Sequence, residues 1–228
     1  MGVRKLKLCK IIVPISFILI LSFVIYGRLF GFPSEKKIIS GEVDRYVRTE
    51  YGLTPTNIEV SFSIDGMNSA FVSVKEYPFS IRVYVNRETK KCWGDLYLES
   101  LVEYRLEMLV YEKVSSFVDP NNIIIGLQRN FVKGKTKLNA DEVNANPNIL
   151  LNNPEVVYYC MITRIEKDFE KSYKIFNQIT KFFTPTSIDF HYAESKGEKV
   201  HLTVKRRDFD KIHNKNDFIF IAKKCLYE

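Results

Sequence analysis

Residues 54–62 read Thr-Pro-Thr-Asn-Ile-Glu-Val-Ser-Phe, and residues 184–192 read Thr-Pro-Thr-Ser-Ile-Asp-Phe-His-Tyr. The two stretches lie 130 positions apart, and the same offset of 130 also aligns residues 71–75 with residues 201–205 without a gap. An internal match at a constant offset indicates that two parts of a chain share one fold. Residues 154–228 are therefore predicted to be an internal repeat of residues 39–93.

Each copy is predicted to form a helix, a turn at Thr-Pro-Thr and an antiparallel meander. In the first copy, Ser34 can cap a helix that Gly52 ends in the left-handed conformation and that Pro55 prevents from continuing. Residues 58–64 then alternate apolar and polar side chains, which is typical of a strand with one buried face. Further strands are expected at 71–74, 81–85 and 92–93.

The second copy begins with Asn153, Pro154 and Glu155, a combination typical of a helix N-terminus. We expect its helix to continue to Phe183, a length of about 45 Å at 1.5 Å per residue. Strands are expected at 187–193, 200–205 and 218–222.

The predicted fold class is α+β, with one N-terminal transmembrane helix and then two related helix-plus-meander domains. A helix at residues 98–117 is expected to close the first domain, which covers residues 34–118. Residues 119–153 are expected to form a strand around residues 123–125 and then a polar, exposed connector. The second domain covers residues 154–228.

An apolar segment precedes both domains. Residues 11–27 contain no charged side chain, and residues 11–32 reach the roughly 20 residues that a helix needs to cross a bilayer core of about 30 Å. The absence of a small-residue cleavage site favours an uncleaved signal-anchor over a removed signal peptide. The basic flanking residues are Arg4, Lys5, Lys7 and Lys10 on one side and Arg28 on the other.

This charge asymmetry predicts a single-pass protein of the cell membrane. Residues 1–10 would be a cytoplasmic tail, residues 11–32 would contact the lipid bilayer, and the C-terminal body would lie outside.

The net charge of +7 does not predict a nucleic-acid partner. Residues 1–30 hold five basic and no acidic side chains, which leaves the body close to neutral. The basic run Lys205, Arg206 and Arg207 could bind anionic lipid or an envelope polymer, or it could be a solvated surface.

No catalytic or cofactor motif is present, so neither a catalytic residue nor a cofactor is predicted. His191 and His201 would face each other across a hairpin and could ligate a metal with Asp189 or Glu198. Histidines exposed on a strand without a metal are the plainer interpretation.

Trp93 begins the run Trp-Gly-Asp-Leu-Tyr at residues 93–97. It could be an exposed anchor for a partner, or it could pack under the helix that follows. The run and the order of a basic start, one span, a helix and a meander resemble the YfjL-like family of small exported proteins of Gram-positive bacteria. The resemblance implies the location and fold but no activity, and the helix-plus-meander unit is similar in topology to PepSY and cystatin-like domains.

These observations favour a membrane-anchored extracytoplasmic binding or regulatory module, with a protein, a peptide or an anionic envelope polymer as its partner. Two alternatives stay open. One is a metal-dependent hydrolase that uses His191 and His201, and the other is a structural protein of the cell envelope.

Overall fold

The fold is α+β, with one long apolar helix at the N-terminus and two four-stranded sheets. The chain divides into two compact units, Met1–Tyr97 and Leu98–Glu228, and each unit contains one sheet. The computed structural model describes residues 2–63, 67–128, 137–151, 153–192 and 201–226.

The first helix, α1, spans Gly2–Phe30. Between Ile15 and Tyr26 its large apolar side chains are 48–66% exposed, so the chain itself does not bury them. Among the described residues, one helical stretch, beginning at Ile15, is long and apolar enough to cross a membrane, as an N-terminal signal sequence also is.

The second helix, α2, spans Pro33–Tyr51 and ends as predicted. Gly52 has a φ of 66°, and its N–H donates to the Arg48 carbonyl oxygen at 3.0 Å. Its start differs from the prediction, because Phe32 holds the N-cap position and makes no side-chain cap, and Ser34 lies inside the first turn.

The first sheet is an antiparallel meander in the order β1-β2-β3-β4. One of its faces packs on α2, and the buried residues come from Ile39, Val43 and Val47 on the helix and from Ala70, Val72, Val74, Ile81, Val83 and Val85 on the sheet. The strands are β1 (Pro55–Ser61), β2 (Met67–Val74), β3 (Ser80–Asn86) and β4 (Cys92–Asp95).

The second unit mixes parallel and antiparallel pairing in a sheet of order β5-β6-β7-β8. Strands β6 and β7 are parallel, and the other neighbours are antiparallel. The elements are α3 (Tyr97–Val114), β5 (Ile123–Leu127), α4 (Ala140–Ala145), β6 (Tyr158–Ile165), α5 (Phe169–Phe182), β7 (Ser187–Tyr192), β8 (His201–Lys205), α6 (Arg206–Phe209) and α7 (Lys215–Leu226).

The expected long helix of the second copy is wrong. Its first half is β6, in which Tyr158, Cys160 and Ile162 are buried and the residues between them are partly exposed. The apolar side chains of this segment also fit a helical spacing, which is why the sequence predicts a helix here. Asn153 does not cap a helix, because its side chain accepts the N–H of Glu155 within a turn.

The strand expected at residues 218–222 is also wrong, because the segment belongs to α7. The Asn214 side chain accepts the N–H groups of Asn216 and Asp217, at 2.8 and 3.1 Å, and so caps this helix. Phe218 is fully buried, whereas Phe220 is 73% exposed, so the apolar alternation does not reflect a strand face.

Helix α3 differs from its expected role in the first domain. The Glu107 carboxylate accepts the N–H of Ile125, and the Glu103 carboxylate accepts the N–H of Leu127, both at 3.1 Å. These bonds attach α3 to β5, and both elements lie in the second unit. Strand β5 confirms the strand expected around residues 123–125.

The described part of the polar connector, residues 137–151, is more ordered than expected. It contains α4 and a short 3-10 helix, Pro147–Leu150, and both Val143 and Leu150 are buried. The side chain of Asn139 caps α4 by accepting the N–H of Glu142 at 2.9 Å. Asparagine here ends and begins short helices, which explains its abundance in this segment.

The internal match corresponds to a shared helix and hairpin rather than to a repeated domain. Ile58 pairs with Val72 in the first hairpin, whereas Ile188 pairs with Val204 in the second, two residues beyond the position that the offset gives. A shift of two residues keeps the same side chains on the buried face, since alternate residues face the same way. After the hairpin, β3 follows in one unit and α6 in the other.

Candidate functional site

A row of stacked side chains crosses the outer face of the first sheet. We call it the aromatic ladder, and it consists of Phe71 on β2, Arg82 and Tyr84 on β3, and Trp93 on β4. The Arg82 guanidinium carbon lies 5.2 Å from the centre of the Phe71 ring and 5.6 Å from that of the Tyr84 ring. The Tyr84 and Trp93 ring centroids lie 5.2 Å apart, with 25° between the planes. The four groups therefore form one continuous stack.

Strand register brings these residues together. Phe71 pairs with Arg82, and Tyr84 pairs with Gly94. The register between β3 and β4 then shifts, so that Trp93 is an extra residue on its strand. Gly94 has no side chain to compete for the face of the Tyr84 ring.

The aromatic ladder is exposed although its residues neighbour the core. Trp93 is 60% exposed and Phe71 is 42% exposed, whereas Val72 and Val83 are fully buried. The alternative that Trp93 packs under the following helix is therefore wrong. Exposed rings, a guanidinium group and an indole N–H are together available to a partner.

Asp95 fixes β4, the strand of Trp93, against α2. The hydroxyls of Tyr46 and Tyr51 donate to its Oδ2 at 2.6 and 2.7 Å, and its Oδ1 accepts the N–H of Tyr97 at 2.9 Å. Burial, and then the hydrogen bond to Asp95, raises the pKa of both tyrosine hydroxyls above its ordinary value. Both hydroxyls therefore remain donors at neutral pH.

A second cluster attaches α1 to the first sheet, and we call it the elbow: Arg87, Glu35 and Lys90. Arg87 Nη2 and Nη1 donate to the carbonyl oxygens of Gly27 and Arg28, each at 2.7 Å, in the last turn of α1. The same guanidinium donates to both carboxylate oxygens of Glu35, at 3.1 and 3.2 Å.

The remaining elbow contacts reinforce this attachment. Lys90 Nζ lies 2.5 Å from the Glu35 carboxylate, and the Arg87 guanidinium lies 4.9 Å from the centre of the Phe62 ring. Gly31 has a φ of 66°, and the Phe62 ring occupies the space that a Cβ there would need. A residue other than glycine at position 31 would therefore be strained and would displace the ring.

The acid of the elbow has a perturbed pKa. Burial raises the pKa of Glu35, but the hydrogen bonds and charges of Arg87 and Lys90 outweigh this effect and hold the pKa below its ordinary value. The carboxylate is therefore ionised at neutral pH and pairs with both cations.

The predicted anchor flank lies on α1. Arg4, Lys5, Lys7 and Lys10 are helical, and their side chains are outside the described part of the structure. Arg28 lies in the last turn of the helix.

The predicted basic run lies where β8 meets α6. Lys205 ends the strand, Arg206 and Arg207 begin the short helix, and all three are exposed. Arg207 lies 3.8 Å from the Asp208 carboxylate, which also binds Lys211 at 2.7 Å. Part of the run is thus a neutralised surface, as the plainer interpretation predicts.

The histidine pair has the predicted register. His191 pairs with His201, and the two rings stack with centroids 5.7 Å apart. The expected turn and Glu198 lie outside the described residues. Across the described part of the chain, no group of three or more His, Cys, Asp and Glu side chains could hold a metal ion.

No protein-family model, no curated protein and no solved structure matches the chain. The resemblance to the YfjL-like family therefore stays a prediction.

Sequence reasoning found Trp93 but missed its neighbours and the elbow. Phe71, Arg82 and Tyr84 occupy the outward positions between buried residues of β2 and β3, a signal that strand alternation carries. The partners of Arg87 are 52 to 60 positions away in sequence, and no local pattern indicates them.

Proposed function

We propose that this protein is a membrane-anchored binding module that is displayed outside the cell and contacts a protein partner through the aromatic ladder. The exposed stack of Phe71, Arg82, Tyr84 and Trp93 carries the proposal. Trp, Tyr and Arg are the residue types that dominate binding energy at protein interfaces. Burial of these rings by a partner would contribute a favourable binding free energy of about 25 cal/mol for each Å² of apolar surface removed from water.

Two further features support this function. Between Ile15 and Tyr26, helix α1 is apolar and exposed, as an anchor in lipid would be. Its basic N-terminal flank favours a cytoplasmic N-terminus, which would place residues 33–228 outside. The elbow gives the binding surface a defined attachment to this helix.

Arg82, in the middle of the aromatic ladder, indicates the chemistry that a partner would need. Arg82 lies between two rings, and no acidic side chain pairs with it among the described residues. A partner that offers an acidic side chain beside an apolar or aromatic one would complement both features.

Site-specific photo-crosslinking in cells tests the proposal. A benzoylphenylalanine at Glu59, which pairs with Phe71 across β1 and β2, samples the ladder. We expect one reproducible protein adduct and about a tenfold loss of it on Trp93→Ala. Phe220→Ala removes an exposed aromatic ring in the other unit and should leave the adduct unchanged. An adduct whose yield is unchanged by Trp93→Ala, or the absence of any adduct, would count against the proposed surface.

The stacked histidine pair keeps a metal-dependent hydrolase as a second candidate. The observation in its favour is the pairing of His191 with His201, which gives two imidazole ligands on one sheet face. If the pair binds zinc, replacing both histidines by Ala should abolish the metal content of purified protein by atomic emission spectroscopy. Equal zinc in the wild-type and double variant would end this candidate.

A further inference from the structure

The second unit contains a cleft of about 400 Å³ that the proposed function does not use. We call it the Arg206 cleft. Its polar lining is Arg206, Asn153, Thr184 and Thr186, and Pro154 and Val156 are among its apolar walls. Its volume falls within the range of small-ligand sites, about 300–1,000 Å³.

The described lining residues include one full charge, and it is positive. Arg206 has no acidic partner in the described part of the chain, whereas the adjacent Arg207 lies beside Asp208. Asn153 accepts the N–H of Glu155 through its side-chain oxygen, which leaves its amide NH₂ as a donor. The polar lining is therefore suited to an anion rather than a cation.

Tyr158, whose backbone contacts the lining residue Thr186, has a buried hydroxyl. Tyr158 is 2% exposed, and its hydroxyl makes no hydrogen bond within the described residues. Burial, and then the charge of Cys160, raises the pKa of this hydroxyl above its ordinary value, so it stays protonated. Thr186 donates to the Tyr158 carbonyl oxygen at 2.9 Å, which fixes this wall.

We propose that the Arg206 cleft binds a carboxylate that is joined to an apolar group, with Arg206 and Asn153 on the carboxylate and the Pro154 and Val156 wall on the apolar part. A guanidinium binds a carboxylate with charge-assisted hydrogen bonds that are about twice as strong as neutral ones. The C-terminal residue of a peptide and a fatty acid both have this chemistry. The site lies in a different unit from the aromatic ladder, so it stands or fails independently of the proposed function.

Calorimetric titration of the full chain in zwitterionic nanodiscs tests the proposal. The probes are N-acetyl-leucyl-leucine with a free carboxylate, the same dipeptide as its C-terminal amide, and hexanoate. Arg206→Gln removes the cleft charge, and Arg207→Gln removes an equal charge from the neighbouring exposed side chain. Circular dichroism checks that both variants keep the fold.

We expect saturable binding of at least one carboxylate, and binding of the amide that is at least tenfold weaker than that of the acid if the dipeptide is the ligand. Arg206→Gln should weaken carboxylate binding by tenfold or more, and Arg207→Gln by less than about twofold. Binding of the dipeptide alone identifies a peptide C-terminus, and binding of hexanoate alone identifies a fatty acid. Equal losses in the two variants, measurable binding of the dipeptide acid and its amide with equal affinity, or no binding of either carboxylate would overturn the proposal.

Discussion

Arg87 holds three parts of the first unit together. Its guanidinium donates to the carbonyl oxygens of Gly27 and Arg28 in the last turn of α1, the first of which also accepts the Gly31 N–H, and it pairs with Glu35 in the first turn of α2. A cation at a helix C-terminus and an anion at a helix N-terminus are both favourable for the helix dipole. One side chain thus defines how α1 joins the sheet that carries the aromatic ladder.

Arg87→Met keeps an unbranched side chain but removes these hydrogen bonds, so we expect it to loosen the elbow. Amide hydrogen exchange at residues 27–35 should accelerate by about tenfold or more, since hydrogen bonds to charged groups contribute about 1.5–3 kcal/mol each. Arg48→Met removes an exposed pair with Asp44 and should change stability by about 0.5 kcal/mol or less. Similar exchange in wild-type protein and Arg87→Met would show that the elbow is not a constraint.

The elbow should also respond to acid, because the pKa of Glu35 is lower in the folded protein than in the unfolded chain. A lowered pKa adds stability above the unfolded pKa, and this stability is lost as pH falls through the folded pKa. We therefore expect smaller protection factors, with the intrinsic exchange rate at each pH taken into account, at residues 27–35 below the ordinary pH range of glutamate titration. Glu35→Gln should have little of this pH dependence, and an unchanged acid response in that variant would contradict the assignment.

At the scale of elements, α3 and β5 are joined by two carboxylates. Glu103 and Glu107 are one helical turn apart, about 6 Å, and they accept alternate N–H groups of a strand, which are about 7 Å apart. Burial raises the pKa of both groups, and the N–H bonds oppose the rise only in part. Because these two spacings are similar, the two carboxylates can both accept N–H groups of β5 that face away from β6.

The raised pKa values of Glu103 and Glu107 predict that stability depends on pH with the opposite sign from the contribution of Glu35. Their protonated forms are favoured by folding, so stability should increase as pH falls from neutrality through the folded pKa values and decrease as pH rises. Urea unfolding at neutral and mildly acidic pH should show this slope in the wild-type protein.

Substitution at Glu107 separates the charge from the hydrogen bond. Glu107→Gln keeps an acceptor for Ile125 and should be neutral or stabilising at neutral pH, with a smaller pH slope. Glu107→Leu leaves that N–H unpaired and should cost about 1–3 kcal/mol. Equal destabilisation by the two substitutions, measured by urea unfolding, would contradict the account.

Local patterns predicted some elements and failed at others for identifiable reasons. Gly52 and the facing pair His191 and His201 follow from turn chemistry and strand alternation, and both are confirmed. Strand β6 was missed because Ile162, Ile165 and Phe169 also fit a helical spacing, although only the first two belong to the strand. Helix α7 was missed because the Asn214 cap is a side-chain contact that apolar alternation does not reveal.

At the scale of the whole molecule, the internal match led to a partly correct architecture. Two four-stranded sheets are present, but the two units share only a helix and a hairpin. In the second sheet, β6 pairs in parallel with β7, and the first sheet has no parallel pair. The apolar N-terminal segment was evident from sequence, whereas the aromatic ladder and the Arg206 cleft depend on contacts between distant residues. Chemistry that is assembled across strands in this way has no local motif.

The central claim is that α1 stays attached as an anchor and holds the chain that follows it, residues 33–228, outside the cell. Protease treatment of intact cells tests it directly, with the full chain tagged at the C-terminus and read by immunoblot. The account predicts a tagged protein of full mass, about 26.7 kDa plus the tag, that remains with membranes and is degraded without lysis. A tagged product shortened by the N-terminal segment and released from membranes, or a body protected until detergent is added, would contradict it.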